Sequence, residues 1–300
     1  EHSHPCKRLL SGRGGIGYRR LAMPRPRFSA TRGASLIVYV LLMAAALLEK
    51  LGKTTNDTKT PLIEAPGAFL RSAVNLWNAD TSLGEIQNQA YGYFFPQGPF
   101  YLLADLANVP PWISERVWAL LVLAIGCEGG RLLAKAMGLG AWPAWVAGMA
   151  YGLNPHVLSQ VATRSAEVLP GAVLPWVALP IVMAMTGRLS VRRAALFSAG
   201  AFAFSGGVNG TATAAPLLFV LVLLVWGIRT DRAPWGLLRW WGGLVAVTSV
   251  WWVASLLRLN SFSPPFFDYV EDTSATTGPT GYASSLRGAS NWVNYIYTGA

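Results

Sequence analysis

Long apolar runs, broken by short basic or polar turns, set the rhythm of this chain and predict membrane helices. The runs are Ser35–Leu51, Ile113–Met137, Trp142–Asn154, Leu169–Met185, Ala194–Val208, Ala212–Ile228 and Leu237–Leu257. Crossing an apolar layer of about 30 Å takes roughly 20 helical residues. Ser35–Leu51 is barely long enough, and Trp142–Asn154 and Ala194–Val208 are short for full crossings. Lipid leaves backbone polar groups unsatisfied, so each span should be an α-helix. The pattern predicts an all-α polytopic membrane protein with about seven spans over residues 34–258. A basic segment, 1–33, precedes this domain and a polar outer segment, 259–300, follows it. One interruption is far longer than the rest, the loop 52–111 after the first span. Within it Gly67–Trp77 has the spacing of an interfacial helix, and Phe100–Asn108 reads as a short or re-entrant helix bounded by prolines.

Composition strengthens the membrane reading. Hydrophobic residues make up 53% of the chain and charged residues 13%, where a soluble domain would carry about a quarter charged. Mean hydropathy is +0.38. Trp240-Trp241 and Trp251-Trp252 stand near span ends, as interfacial belts require.

The net charge of +10 does not predict nucleic-acid binding, because its distribution is that of a membrane topology. Lys7, Arg8, Arg13, Arg19, Arg20, Arg25, Arg27 and Arg32 precede the first span and place the N-terminus in the cytoplasm. The inner turns then collect Arg131, Lys135, Arg188, Arg192, Arg193, Arg229, Arg232 and Arg239, while most acidic residues fall outside. Glu128 and Asp231 are the exceptions, each near inner arginines. Cys6 and Cys127 are expected to form no disulfide. Ala34–Leu48 lacks a small-residue cleavage site, so a retained span is expected rather than a signal peptide. Starting at Glu1 and stopping at Ala300 without an ending signal, the sequence is expected to be part of a longer chain.

Candidate chemistry gathers in the long loop. Asp57, just after the first span, could take a proton from a sugar hydroxyl at the bilayer surface; the alternative is a solvated residue or a pair with Lys59. Glu85, Gln87, Asn88 and Gln89 could hydrogen-bond sugar hydroxyls, with Tyr91 and Tyr93 stacking on the ring. Equally, the amides could cap turns and the rings pack in a small outer core. Further on, His156, Gln160, Arg164 and Glu167 recur at a spacing that puts all four on one helical face. Arg164 then becomes a candidate for a lipid phosphate, against the alternative of an internal pair with Glu167. Asp268, Glu271 and Asp272 add carboxylates beside aromatic residues in the outer segment. No His/Cys set has zinc spacing, and neither a P-loop nor a nucleophile elbow is present.

The run Leu83-Gly84-Glu85-Ile86-Gln87-Asn88-Gln89-Ala90-Tyr91-Gly92-Tyr93, with Asn75-Leu76-Trp77-Asn78 before it and Phe95-Pro96-Gln97-Gly98-Pro99-Phe100 after it, is distinctive. With Asp57-Thr58-Lys59, Asn154-Pro155, Arg164 and Leu169-Pro170, it closely resembles the membrane domain of the actinobacterial arabinofuranosyltransferase D family, a branch of the GT-C glycosyltransferases. The likeness runs from about residue 34 onward.

The resemblance implies a GT-C-like helical bundle in the plasma membrane with its active site on the extracytoplasmic face. It implies transfer of an arabinofuranosyl group from decaprenyl-phosphate arabinose to the arabinan of arabinogalactan or lipoarabinomannan. An acidic residue of the first outer loop would be the base, which maps best onto Asp57, with Glu271 second. On our own reading of the residues, Arg164 and Lys59 would face the donor phosphate, and Glu85, Gln87, Asn88, Gln89, Tyr91, Tyr93 and His156 the sugars. An acyl carrier protein on the cytoplasmic side is an implied partner. The chain departs from the expected pattern at Thr60-Pro61, where an acidic residue was expected soon after Lys59. The other classes that fit are a polyprenyl-lipid transporter and a non-catalytic anchor of a cell-wall assembly. Charges gathered at one face, with spans nearly free of them, favour the transferase over the transporter.

Overall fold

In the computed structural model, residues 30–55, 59–79, 83–86, 89–262 and 281–286 are described, and they are overwhelmingly helical. Helix α1 (Ala30–Leu48) leads into the long loop, which folds as α2 (Thr60–Glu64), α3 (Pro66–Ala73), a ribbon of β1 (Trp77–Asn78) with β2 (Glu85–Ile86), a 3-10 turn (Ala90–Phe94) and α4 (Gln97–Leu106). Then come α5 (Pro111–Ala136), α6 (Ala141–Gly152), α7 (Pro155–Gln160), α8 (Ser165–Met185), α9 (Val191–Ala203), α10 (Gly210–Arg229) and α11 (Trp235–Asn260), with a short α12 (Tyr282–Leu286). Five of them, α1, α5, α8, α10 and α11, are long and apolar enough to cross a membrane. Helices α6 and α9, with 12 and 13 residues, correspond to the two runs that read as short for full crossings.

The antiparallel ribbon, in which Trp77 faces Ile86 and Asn78 faces Glu85, is an addition to the all-α expectation. Gly84 makes it possible: its φ is +69°, and a methyl there would press into the Trp77 indole. The interfacial helix is also shorter than expected, ending at Ala73.

Helix α8 is the hub, packing on α5, α9 and α10, while α6 lies on α5 and α9 on α11. Val122, Val177, Ile181, Ala194, Val220, Leu224 and Leu237 have no exposed surface and form the centre of the core. Three prolines, Pro170, Pro175 and Pro180, lie inside α8. A proline lacks the N–H that would bond the carbonyl four residues back, so Pro175 frees the Gly171 carbonyl. Tyr151 of α6 donates its hydroxyl to that oxygen at 2.6 Å. Buried Ser198 of α9 ties three helices together, donating to the Val177 carbonyl at 2.7 Å and accepting from Trp241 Nε1 at 3.0 Å. Tyr151→Phe should lower stability by about 1 kcal/mol without altering the helical circular dichroism. An unchanged denaturation midpoint in detergent would show that the freed carbonyl needs no partner.

Glu128, one of the two exceptions to the expected charge bias, is paired with an arginine, as its position suggested. Arg131 Nε donates to its carboxylate at 2.6 Å, and Tyr39 of α1 donates to the other oxygen at 3.2 Å. This polar knot joins α1 to α5 and leaves the Arg131 side chain 10% exposed.

Candidate functional site

Of the candidate residues, Lys59 and Glu85 are brought together around one hollow, whose lining, among the described residues, does not include Arg164 or His156. Lys59 stands at the N-cap of α2, just before Pro61 in its first turn. The ribbon brings Glu85 back to it. Lys59, Glu85, Asn78, Ser72 and Phe69 together line a cavity of about 400 Å³. A cation, a carboxylate, an amide, a hydroxyl and a ring around one hollow suit a polar ligand.

Tyr91 and Tyr93 are not open to such a ligand, and here the expectation of ring stacking needs correcting. They are 3% and 1% exposed. Tyr93 packs edge-on against Phe69, with ring centroids 5.8 Å apart, and Tyr91 sits against Trp252 and Leu259. Burial raises the Tyr91 phenol above its ordinary range. These rings form the small outer core that was the alternative reading. Between them, Gly92 accepts a hydrogen bond from the Gly207 amide at 3.3 Å, and a methyl on Gly92 would overlap the Val208 backbone. The distinctive run is thus bolted onto the turn between α9 and α10. Gln89 enters the 3-10 turn with a left-handed φ of +56°.

The single helical face carrying His156, Gln160, Arg164 and Glu167 does not exist either. Helix α7 ends at Gln160, and Arg164 is a non-helical N-cap residue with φ −147° and ψ 47°. The four residues form two pairs instead. The Gln160 amide donates to a ring nitrogen of exposed His156 at 3.0 Å, and Arg164 lies 3.6 Å from Glu167. The Arg164 side chain is only 13% exposed.

What anchors Arg164 was not foreseen. The next residue, Ser165, is buried and its hydroxyl accepts from Gln97 Nε2 and Trp118 Nε1, both at 3.0 Å. One oxygen therefore fixes the starts of α4, α5 and α8 relative to each other. Gln97 is buried, and its place between two prolines, Pro96 and Pro99, was the signal the sequence offered.

Asp57, Gln87, Asn88 and Glu271 lie outside the described residues. Among the described residues, no group of three or more His, Cys, Asp or Glu is placed to hold a metal ion.

The chain matches a family model described as alpha-(1->3)-arabinofuranosyltransferase, N-terminal GT-C domain, over residues 41–300. It is 40% identical over 263 residues to an alpha-(1->3)-arabinofuranosyltransferase of Mycolicibacterium smegmatis, covering 85% of this chain and 18% of that protein. Its counterpart in Mycobacterium tuberculosis is 36% identical over 264 residues, covering 87% and 19% respectively. The fold is similar to a cryo-EM structure of the arabinofuranosyltransferase AftD from mycobacteria, with a TM-score of 0.74 and 33% identity over 85% of this chain and 20% of that one. The chain therefore spans about a fifth of the length of these relatives. Matched over most of its own length, it belongs to the family of the N-terminal GT-C domain of alpha-(1->3)-arabinofuranosyltransferases.

Proposed function

We propose that this chain is the N-terminal portion of a membrane glycosyltransferase. The full protein moves an arabinofuranosyl group from decaprenyl-phosphate arabinose to cell-wall arabinan. The family match is the observation that carries this reading. Support for the site comes from the hollow shared by Lys59 and Glu85, on the same loop as Asp57.

The reaction is a single displacement with inversion. A lipid phosphate is already a good leaving group, so catalysis needs a base at the acceptor hydroxyl and cations at the phosphate. Asp57 is the base, with Glu271 the second choice. Arg164 and Lys59 hold the donor phosphate. Glu167 keeps the Arg164 guanidinium oriented until the donor competes for it. Glu85, Gln87, Asn88 and Gln89 contact sugar hydroxyls, His156 lies at the edge of the site, and Tyr91 and Tyr93 support the loop from beneath.

The domain sits in the plasma membrane with its N-terminus in the cytoplasm and the cavity on the outer face. Helices α6 and α9 make the sixth and seventh crossings, their short lengths tolerated because longer neighbours pack beside them. The inner arginines suit an acidic acyl carrier protein as partner.

Membranes holding the full-length protein, given radiolabelled decaprenyl-phosphate arabinose and a short arabinan, should yield labelled, lengthened arabinan. Label that crosses the membrane without entering arabinan would establish a transporter instead. Label that does neither would leave an anchor.

A further inference from the structure

Two adjacent residues of α5 grip the end of α1. Arg116 Nε donates to the Ala46 carbonyl at 2.7 Å, Nη1 to Lys53 at 3.1 Å, and Nη2 to Glu49 at 2.9 Å and Lys50 at 3.4 Å. Nη1 also reaches the carbonyl of its own helix at Trp112, 2.6 Å away, and the guanidinium lies 5.2 Å from the Trp112 ring centre. The last carbonyls of a helix have no partner within it, and they carry its negative dipole end. One planar cation with five N–H donors in a fixed fork can serve this spread of carbonyls together, whereas a lysine ammonium has three donors on a single point charge. Glu115, 4% exposed, accepts the Thr55 amide at 2.7 Å. The exit of α1 is thus fastened to α5 from Ala46 to Thr55, four residues before Lys59 enters the cavity lining. One turn further along α5, Trp118 holds Ser165, the neighbour of Arg164.

We propose that Glu115 and Arg116 are positioning residues for the transfer reaction. They fix the start of the outer loop against the helix that also sets the Arg164 junction, so the first turns of α5 act as a ruler between the acceptor and donor sides. This rests on the reading of the chain as part of a transferase. Geometry matters steeply there, since a misplacement of about 1 Å can lower a rate by about a hundredfold.

The test uses the full-length protein. Glu115→Ala and Arg116→Lys should each lower kcat by about a hundredfold, with KM for the lipid donor within about twofold of wild type. Glu115→Gln keeps an oxygen for the Thr55 amide and should stay within about threefold of wild-type kcat. A nitroxide on Thr54→Cys, an exposed position, should report a slow-moving segment that Arg116→Lys loosens. The nitroxide result needs no activity, so it stands even where the transferase reading fails. Should Glu115→Ala not fold, Arg116→Lys carries the kinetic arm. Wild-type kcat in Arg116→Lys, an unchanged nitroxide spectrum, or a loss in Glu115→Gln as deep as in Glu115→Ala overturns the proposal. The last outcome would make the carboxylate itself the reacting group. Asp57→Asn, run alongside, separates failure of the assigned base from failure of the grip.

Discussion

Asp57→Asn in the full-length protein should reduce arabinosyl transfer by about a thousandfold, the range expected for loss of a general base. Asparagine matches aspartate in shape and still accepts a hydrogen bond, but it cannot take the acceptor proton. The loss should therefore appear in kcat and in kcat/KM for the acceptor alike, as when a transition-state interaction is removed. Donor binding should be nearly intact, because in the proposed mechanism the base serves the acceptor hydroxyl while Lys59 and Arg164 serve the phosphate. Lys59→Met gives the complementary pattern, a raised donor KM with a smaller change in kcat. Glu271→Gln, the second-choice base, should retain most activity. Transfer that survives Asp57→Asn but disappears in Glu271→Gln would move the role to the outer segment, and transfer that survives both would remove a carboxylate base from this part of the protein.

The long helices were legible because apolar runs bounded by arginines leave little alternative in a chain with 13% charged residues. Even α8, with three internal prolines, keeps its run from Ser165 to Met185, since neighbouring side chains such as Tyr151 can satisfy freed carbonyls. Other features depended on tertiary contacts that local pattern does not encode. From Pro155 to Glu167 no glycine or second proline interrupts the sequence, so helical spacing ran through it. The break before Arg164 accompanies a distant contact, Ser165 fastened to Gln97 and Trp118. Tyr91 and Tyr93 are aromatic residues in a polar loop, and only the approach of Val208 and Trp252 shows which way they face. Glu115 and Arg116 read as ordinary charges near a span end; their partners are main-chain groups 60 to 70 positions earlier, beyond any residue-type motif. What the sequence exposed was the hydrophobic rhythm, and what it concealed was how the loop is held.

The largest effect on stability is expected at the crossing of α5 and α6. Gly126 and Gly130 on α5 meet Gly152 and Gly148 on α6, antiparallel, with a methyl at Gly130 coming within 3.2 Å of Gly148 Cα and one at Gly126 within 3.4 Å of Gly152 Cα. Small residues four apart let two membrane helices approach backbone to backbone, where dispersion replaces the absent hydrophobic drive. A methyl on Gly148 would overlap the Cys127 carbonyl and come within 2.8 Å of the Arg131 amide nitrogen, so only a shift of the whole helix could relieve it. That shift would also disturb the Tyr151 bond from α6 to Gly171 of α8. Gly148→Leu should therefore cost about 3 kcal/mol or more, at the upper end for overpacking, and greatly reduce the yield of folded protein. Gly242→Ala on α11 is the matched control, because a methyl there meets nothing within 4 Å. Relief of glycine's chain entropy should leave that variant as stable as the parent or up to about 1 kcal/mol more so. Reversible unfolding in detergent micelles compares the two. A Gly148→Leu protein that melts with the parent would mean that α5 and α6 do not meet through their glycines.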